Sequence, residues 1–315
     1  MEAKPLVSVV IPAYNCSRYI GEALESIFAQ DCPDTEIIVV NDGSTDDTGK
    51  VLSAFEPRIR VVEQANAGAA AARNNAIREA RGKYIAFLDA DDLWLPGKLI
   101  TQVRYLDNHP EVGLVYCGWL EWFPDDKGNF VKPVVPPPAD LNETDPEFCG
   151  WLYNRLLFDC YVHTSTAVLR SEIVRAAGWF DLSLRRGQDY DYWFRVSRLA
   201  PIHKLRAVLS LYRIHPKSIT NVPHAQNYGH LVLKKALDRW GRVGPDGTVT
   251  PKRAMNEVFA RCWSGYGYTH YTLGDPKLAL DAFKRCVRYQ PFSPGAWRNL
   301  MRSAVKVWRG RHTRA

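Results

Sequence analysis

The chain predicts an α/β protein: a mostly parallel sheet flanked by helices, followed by a helical extension. Three observations carry this. Over the first 90 of 315 residues, short β-branched runs alternate with amphipathic segments. That order implies parallel strands joined by right-handed crossovers. Polar, turn-forming residues follow each run, where ligands bind beyond the carboxyl ends of parallel strands. Past residue 225 the pattern becomes helical and basic, with 17 Lys/Arg against 5 Asp/Glu from Ala225 to Ala315.

The strands are read at Leu6–Ile11, Glu36–Val40, Ile59–Glu63 and Tyr84–Leu88. Each is short, apolar and rich in branched or aromatic residues. Between them, Ile20, Ala23, Leu24, Ile27 and Phe28 fall at helical spacing behind Ser17, a candidate N-cap. Thr45–Phe55 and alanine-rich Gly68–Ala80 supply two more helices. Helix Leu99–Leu106 and strand Gly113–Cys117 continue the alternation, and proline-rich Pro124–Pro146 breaks it as a loop. Beyond lie an expected strand at Tyr161–Leu169, helices at Glu172–Ala177 and Asp189–Leu199, and a last strand at Val208–Ile214. In the tail, Trp263, Gly267, Gly274, Ala279, Phe283 and Pro291 match the offsets of one tetratricopeptide repeat. The expected division is residues 1–110, 111–222 and 225–315.

Composition narrows the function classes. The net charge is +7, yet the count above leaves residues 1–224 net acidic. No stretch reaches the roughly 20 apolar residues of a membrane span, and the N-terminus has no signal-peptide pattern. Seven cysteines without CxxC pairs argue against a disulfide framework or structural zinc, and for a reducing cytoplasm. No recognised motif accompanies the basic tail, so nucleic acid is not an expected partner.

The chemistry concentrates after the strands. Asp89-Ala90-Asp91-Asp92 places three carboxylates in four residues, which repel unless a cation or hydrogen-bond donors neutralise them. Strand alternation suggests Asp89 and Asp91 on one side and Asp92 as a helix cap, and such carboxylates suit Mg²⁺ or Mn²⁺. Asp42 in Asn41-Asp42-Gly43-Ser44 can accept from a base or ribose, or form an Asx turn. Tyr14 can lie against a base or cover the sheet end, and Arg73 can face an anion or solvent. Asp189 sits at a helix start that stabilises its anion, as a general base requires. His215 is a candidate metal or phosphate ligand.

In order and spacing these segments resemble the inverting glycosyltransferase family 2 with its GT-A fold. The likeness rests on Val9–Asn15 (VVIPAYN), Ile37–Asp46 (IIVVNDGSTD), Asn66–Asn74 (NAGAAAARN), Gly82–Asp92 (GKYIAFLDADD), Trp94–Leu99 (WLPGKL) and Gly187–Asp191 (GQDYD). It covers about residues 5–220. It implies a GT-A type, Rossmann-like mixed sheet and transfer of a sugar from a nucleotide-diphosphate donor, UDP by expectation, to an acceptor hydroxyl. Pro12, Tyr14 and Asn15 would form the nucleoside pocket, and Asp42 would meet base or ribose. Gly43, Arg73, Asp89 and Ala90 would complete the donor site. Asp91 of the DxD motif, with His215, would hold the metal. Asp189 would be the base, with Gln188 and Asp191 positioning acceptor or phosphate; Gln188 stands where the family usually has a glutamate. The acceptor would be a glycan or lipid-linked carrier in cell-surface polysaccharide or glycoconjugate synthesis. The tail, outside the resemblance, has Arg302, Lys306, Arg309, Arg311 and Arg314 beside Leu300, Met301, Val305 and Trp308. That pattern suits peripheral contact with the inner face of the plasma membrane, or a solvated terminal helix. A sugar-nucleotide nucleotidyltransferase and a non-catalytic interaction protein are the competing readings.

Overall fold

The computed structural model describes residues 4–136, 138, 140–215 and 222–312. It separates into two compact units, Met1–Leu156 with Cys160–His215, and Leu157–Asp159 with Pro216–Ala315.

The first unit opens as the alternation predicts. Strand β1 (Val7–Ala13) leads to helix α1 (Ile20–Phe28), β2 (Thr35–Asp42), α2 (Thr48–Ser53), β3 (Arg60–Gln64), α3 (Ala69–Glu79) and β4 (Tyr84–Phe87). Val7, Val9, Val10 and Ile11 are wholly buried, because β1 is central and covered on both faces. It pairs in parallel with β2 and with β4.

After β4 the chain departs from simple alternation. A two-residue strand, β5 (Leu93–Trp94), precedes α4 (Lys98–Asn108) and β6 (Leu114–Trp122). Then come α5 (Tyr153–Leu156), β7 (Val168–Arg170), α6 (Ser171–Ala177), α7 (Gln188–Val196) and β8 (Ile202–Arg213). The eight strands form one mixed sheet in the order β3-β2-β1-β4-β7-β6-β8-β5. β7 is antiparallel to both neighbours, while β6 and β8 run parallel.

Four local expectations are corrected. Ser17 caps no helix; its hydroxyl donates to Asp46 at 2.8 Å. The second helix is shorter than Thr45–Phe55, because Thr45 and Asp46 are held in the loop before it. The expected strand Tyr161–Leu169 survives only from Val168, preceded by a 3-10 turn at Thr164–Thr166. That turn is buried and anchored from α4 and β5: Trp94 Nε1 donates to Ser165 O at 2.6 Å and Gln102 Nε2 to Thr166 O at 2.9 Å. Asp92 caps no helix either, since its carboxylate faces inward, as described below.

The second unit is helical: α8 (Tyr228–Trp240), α9 (Lys252–Leu273), α10 (Pro276–Tyr289) and α11 (Pro294–His312). Asp275 caps α10, accepting from Lys277 N at 2.7 Å. Gly267 on α9 lets α10 approach; a Cβ there would lie 3.0 Å from the Phe283 ring. Trp263, Ala282 and Cys286 fill the space around it. Among the described residues, no helix is long and apolar enough to cross a membrane.

Candidate functional site

The site is built where the strands β1, β2 and β4 end. In the loop after β1, Asn15 adopts a left-handed backbone (φ 47°). Its side-chain oxygen accepts from the Thr45 and Asp46 amides at 2.7 and 3.3 Å, and Ser44 Oγ receives the Asn15 amide at 3.0 Å. The loops after β1 and β2 are therefore locked together. Burial raises the Asp46 carboxyl, but hydrogen bonds from Thr48 and Ser17 outweigh this and hold it down at about 2. Tyr14 is half exposed beside this lock, and Pro12 is partly buried on β1.

Asp42 is only 2% exposed and already holds several donors. Gln64 Nε2 and the Ala67 amide reach Oδ1 at 2.6 and 2.8 Å, and the Gly68 amide reaches Oδ2 at 2.8 Å. These bonds fix the loop between β3 and α3. Gly43 is required here: at φ +68°, a Cβ would come within 2.7 Å of Asn66 N.

The acidic turn follows β4, so Asp89 and Asp91 are set by a turn and not by strand alternation. Asp89 pairs with Arg73 Nη2 from α3 at 2.5 Å. Asp91 Oδ2 lies 2.9 Å from His215 Nε2. Ala90 between them is buried. Asp92 turns into the protein, accepting from Ser165 Oγ and, at 3.0 Å, from the Arg213 amide. Burial, with the charges of Asp91 and Asp89, pushes its carboxyl well above the ordinary carboxylate range. Arg213 Nε donates to Asp91 O at 2.7 Å, which ties β8 to the turn.

Arg73 is 4% exposed, and its Nε and Nη1 are buried with no acceptor among the described residues. A guanidinium so placed is costly to leave half paired. An incoming ligand oxygen would relieve it. Asp91 and His215 offer one hard oxygen and one imidazole nitrogen side by side. Among the described residues no third His, Cys, Asp or Glu completes a cage. That suits Mg²⁺ or Mn²⁺, which keep waters and take substrate phosphates as ligands.

The opposite wall is α7. Gly187, in the left-handed region, starts it. Asp189 accepts from the Tyr190 amide at 2.8 Å and from Thr164 Oγ1 at 3.3 Å. Trp193 is wholly buried one turn on. Gln188 is partly exposed beside Asp189. Asp191 is 5% exposed and paired with Arg195 at 3.1 Å, the i,i+4 partner that faces it on the helix.

Three consecutive residues that the sequence reading passed over join these walls. Ser165 Oγ receives the Asp89 amide at 3.1 Å, Thr164 holds Asp189, and His163 lies within electrostatic reach of Asp89, Asp189 and Asp91. Burial pushes the His163 imidazole down, against the upward pull of those carboxylates. A polar His-Thr-Ser-Thr run inside an apolar stretch was the available signal.

A mixed sheet with flanking helices, a buried arginine and acidic turn at its strand ends, and a carboxylate on a facing helix define a protein of the GT-A type. Residues 8–157 match the model of glycosyl transferase family 2. An uncharacterized glycosyltransferase of Methanocaldococcus jannaschii is 33% identical over 241 residues, covering 74% of this chain and 77% of that one. One from Rickettsia prowazekii is 34% identical over 219 residues, 69% of this chain and 66% of its own length. The chain thus spans about two thirds of the Rickettsia prowazekii relative, and only 34% of a longer one from Rickettsia felis. It belongs to glycosyl transferase family 2. S. aureus TarS 1–349, crystallised with UDP, superposes with a TM-score of 0.63 at 20% identity, covering 91% of this chain and 81% of that one. The mannosyltransferase PcManGT from Pyrobaculum calidifontis, in complex with GDP-Man and Mn²⁺, gives 0.55 at 21% identity, covering 98% and 81%. At these identities the likeness is one of fold.

Proposed function

We propose that the chain transfers a sugar from a nucleotide-diphosphate donor to an acceptor hydroxyl, with inversion at the anomeric carbon. Residues 1–110 would hold the donor and residues 111–222 the acceptor. The observation that carries this reading is the His163–Ser165 turn, which links the acidic turn at Asp89 to Asp189 on α7 through adjacent residues. Asp189 would take the proton of the attacking hydroxyl as that oxygen bonds the anomeric carbon opposite the leaving diphosphate. Arg73, with two unmatched buried donors, would meet a donor oxygen. Pro12, Tyr14, Asn15 and Gly43 would line the nucleoside. Asp91 and His215 would hold a divalent cation, which when bound would offset the charge on the departing diphosphate.

The UDP complex of S. aureus TarS and the GDP-Man complex of PcManGT support nucleotide-sugar donors as the class, and we take a UDP-sugar as the first candidate. The acceptor would be a glycan or lipid-linked carrier in cell-surface polysaccharide or glycoconjugate synthesis. Seven free cysteines support a reducing, cytoplasmic site of action.

A screen of nucleotide sugars for donor hydrolysis, with Mn²⁺ or with chelator, tests the reading. One donor should be hydrolysed in Mn²⁺ and spared in chelator. Absence of hydrolysis, together with joining of a sugar phosphate to a nucleoside triphosphate, would replace it with nucleotidyl transfer.

A further inference from the structure

The tail unit leaves an apolar stripe of α11 outside its core. Trp297, Met301, Val305 and Trp308 are 45, 60, 48 and 61% exposed. At 100° per residue their spacings of four, four and three place them within an arc of about 80°, along about 16 Å of helix. The inward face is a different one: Ala296 and Ser303 are buried, and Leu300 packs on the cluster around Trp263. On the other flank of the stripe, at about 100–140°, stand Arg298, Arg302 and Arg309. No acidic residue follows Asp281 in the chain. An apolar band edged by cations and bounded at both ends by indole rings is the chemistry of a helix lying in a lipid headgroup region.

We propose that α11 docks this unit on an anionic lipid surface, with the stripe inserted and the arginines against lipid phosphates. The charge selects this occupant. An apolar protein partner would give Arg298 and Arg302 no counter-charge, whereas an anionic bilayer meets both these cations and the stripe. The proposal stands apart from the transferase reading, because vesicle binding requires no turnover.

The test sediments the full chain with vesicles of phosphatidylcholine alone or with about one third phosphatidylglycerol, at low and high salt. Donor hydrolysis is assayed on the same samples, so failure of one reading is separable from failure of the other. The chain should pellet with the anionic vesicles only, lose most binding at high salt, and show blue-shifted tryptophan emission. The triple variant Arg298→Gln/Arg302→Gln/Arg309→Gln touches no core residue and should weaken binding by about tenfold or more, at roughly fivefold per cation at most. Because Trp297 Nε1 also donates to Pro291 O at 2.8 Å, the apolar arm of the test is Met301→Ser/Val305→Ser, two exposed stripe residues, which should weaken binding comparably while the melting curve stays close to that of the parent. Equal binding to neutral vesicles, no pelleting at low salt, or full binding by the arginine variant would overturn the proposal. So would vesicle-independent self-association that Met301→Ser/Val305→Ser abolishes, since a second copy would then cover the stripe.

Discussion

In the sheet unit, Arg73, Asp92, Lys98 and Arg213 are each 4% exposed or less, whereas in the tail Trp297, Met301 and Trp308 are 45% exposed or more. The two units thus break the ordinary inside–outside rule in opposite directions. Buried charge is costly unless partners hold it, and at the strand ends Arg73, Asp92 and Arg213 have such partners. Exposed aromatic surface is tolerated where something other than water meets it. One departure prepares a fixed electrostatic site, and the other prepares a surface.

The comparison breaks first at Asp189. Asp189→Asn should lower turnover by about 10²–10⁴-fold while donor affinity stays unchanged, read by steady-state rates and equilibrium donor binding. Near-parental turnover would leave the buried charges without a reaction to serve.

Lys98 sharpens the question of whether every buried charge in this unit is functional. Its Nζ has no hydrogen-bond acceptor among the described residues and lies 4.0 Å from the centre of the Trp94 ring; burial pushes it down to about 8. The unfolded chain binds that proton up to about 10.5, so stability should rise as pH climbs from about 8 to 10.5. Lys98→Met should then stabilise the protein at neutral pH by on the order of 2–3 kcal/mol, with the gain shrinking through that window. Denaturant melts at pH 7, 9 and 10.5 decide it; a pH-independent difference would mean Lys98 is not held as described.

The smallest effect separates charge from hydrogen bonding at Asp92. Because burial favours its neutral form, Asp92→Asn should cost less than about 1 kcal/mol. Asp92→Ala, which strands the Arg213 amide and the Ser165 hydroxyl, should cost about 1–3 kcal/mol. Equal losses in the two variants by urea unfolding would show that Asp92 is ionised after all.

The parallel half of the sheet was readable because β-branched runs and helical spacing are local properties. The acidic turn and Asp189 were readable too, as residue types at the ends of such elements. The partners of Asp42 and Asp92 were not, since each depends on which distant segment arrives. For Asp42 the donors lie on the loop after β3, and for Asp92 the donating amide is 121 residues away. The Thr164–Thr166 turn was hidden for the same reason: β-branched Thr reads as strand until Trp94 and Gln102 claim its carbonyls.

By itself, then, the amino-acid order determined the succession of strands and helices, the chemistry available at their ends, and the cationic, apolar character of the last helix. Side-chain periodicity and local backbone preference are enough for that. Tertiary structure alone decided which carboxylates stay partly exposed at the strand ends and which are buried, and which side of α11 faces outward. Those outcomes depend on hydrogen bonds and packing between residues far apart in the chain, where the low dielectric of the interior multiplies the consequence of each pairing.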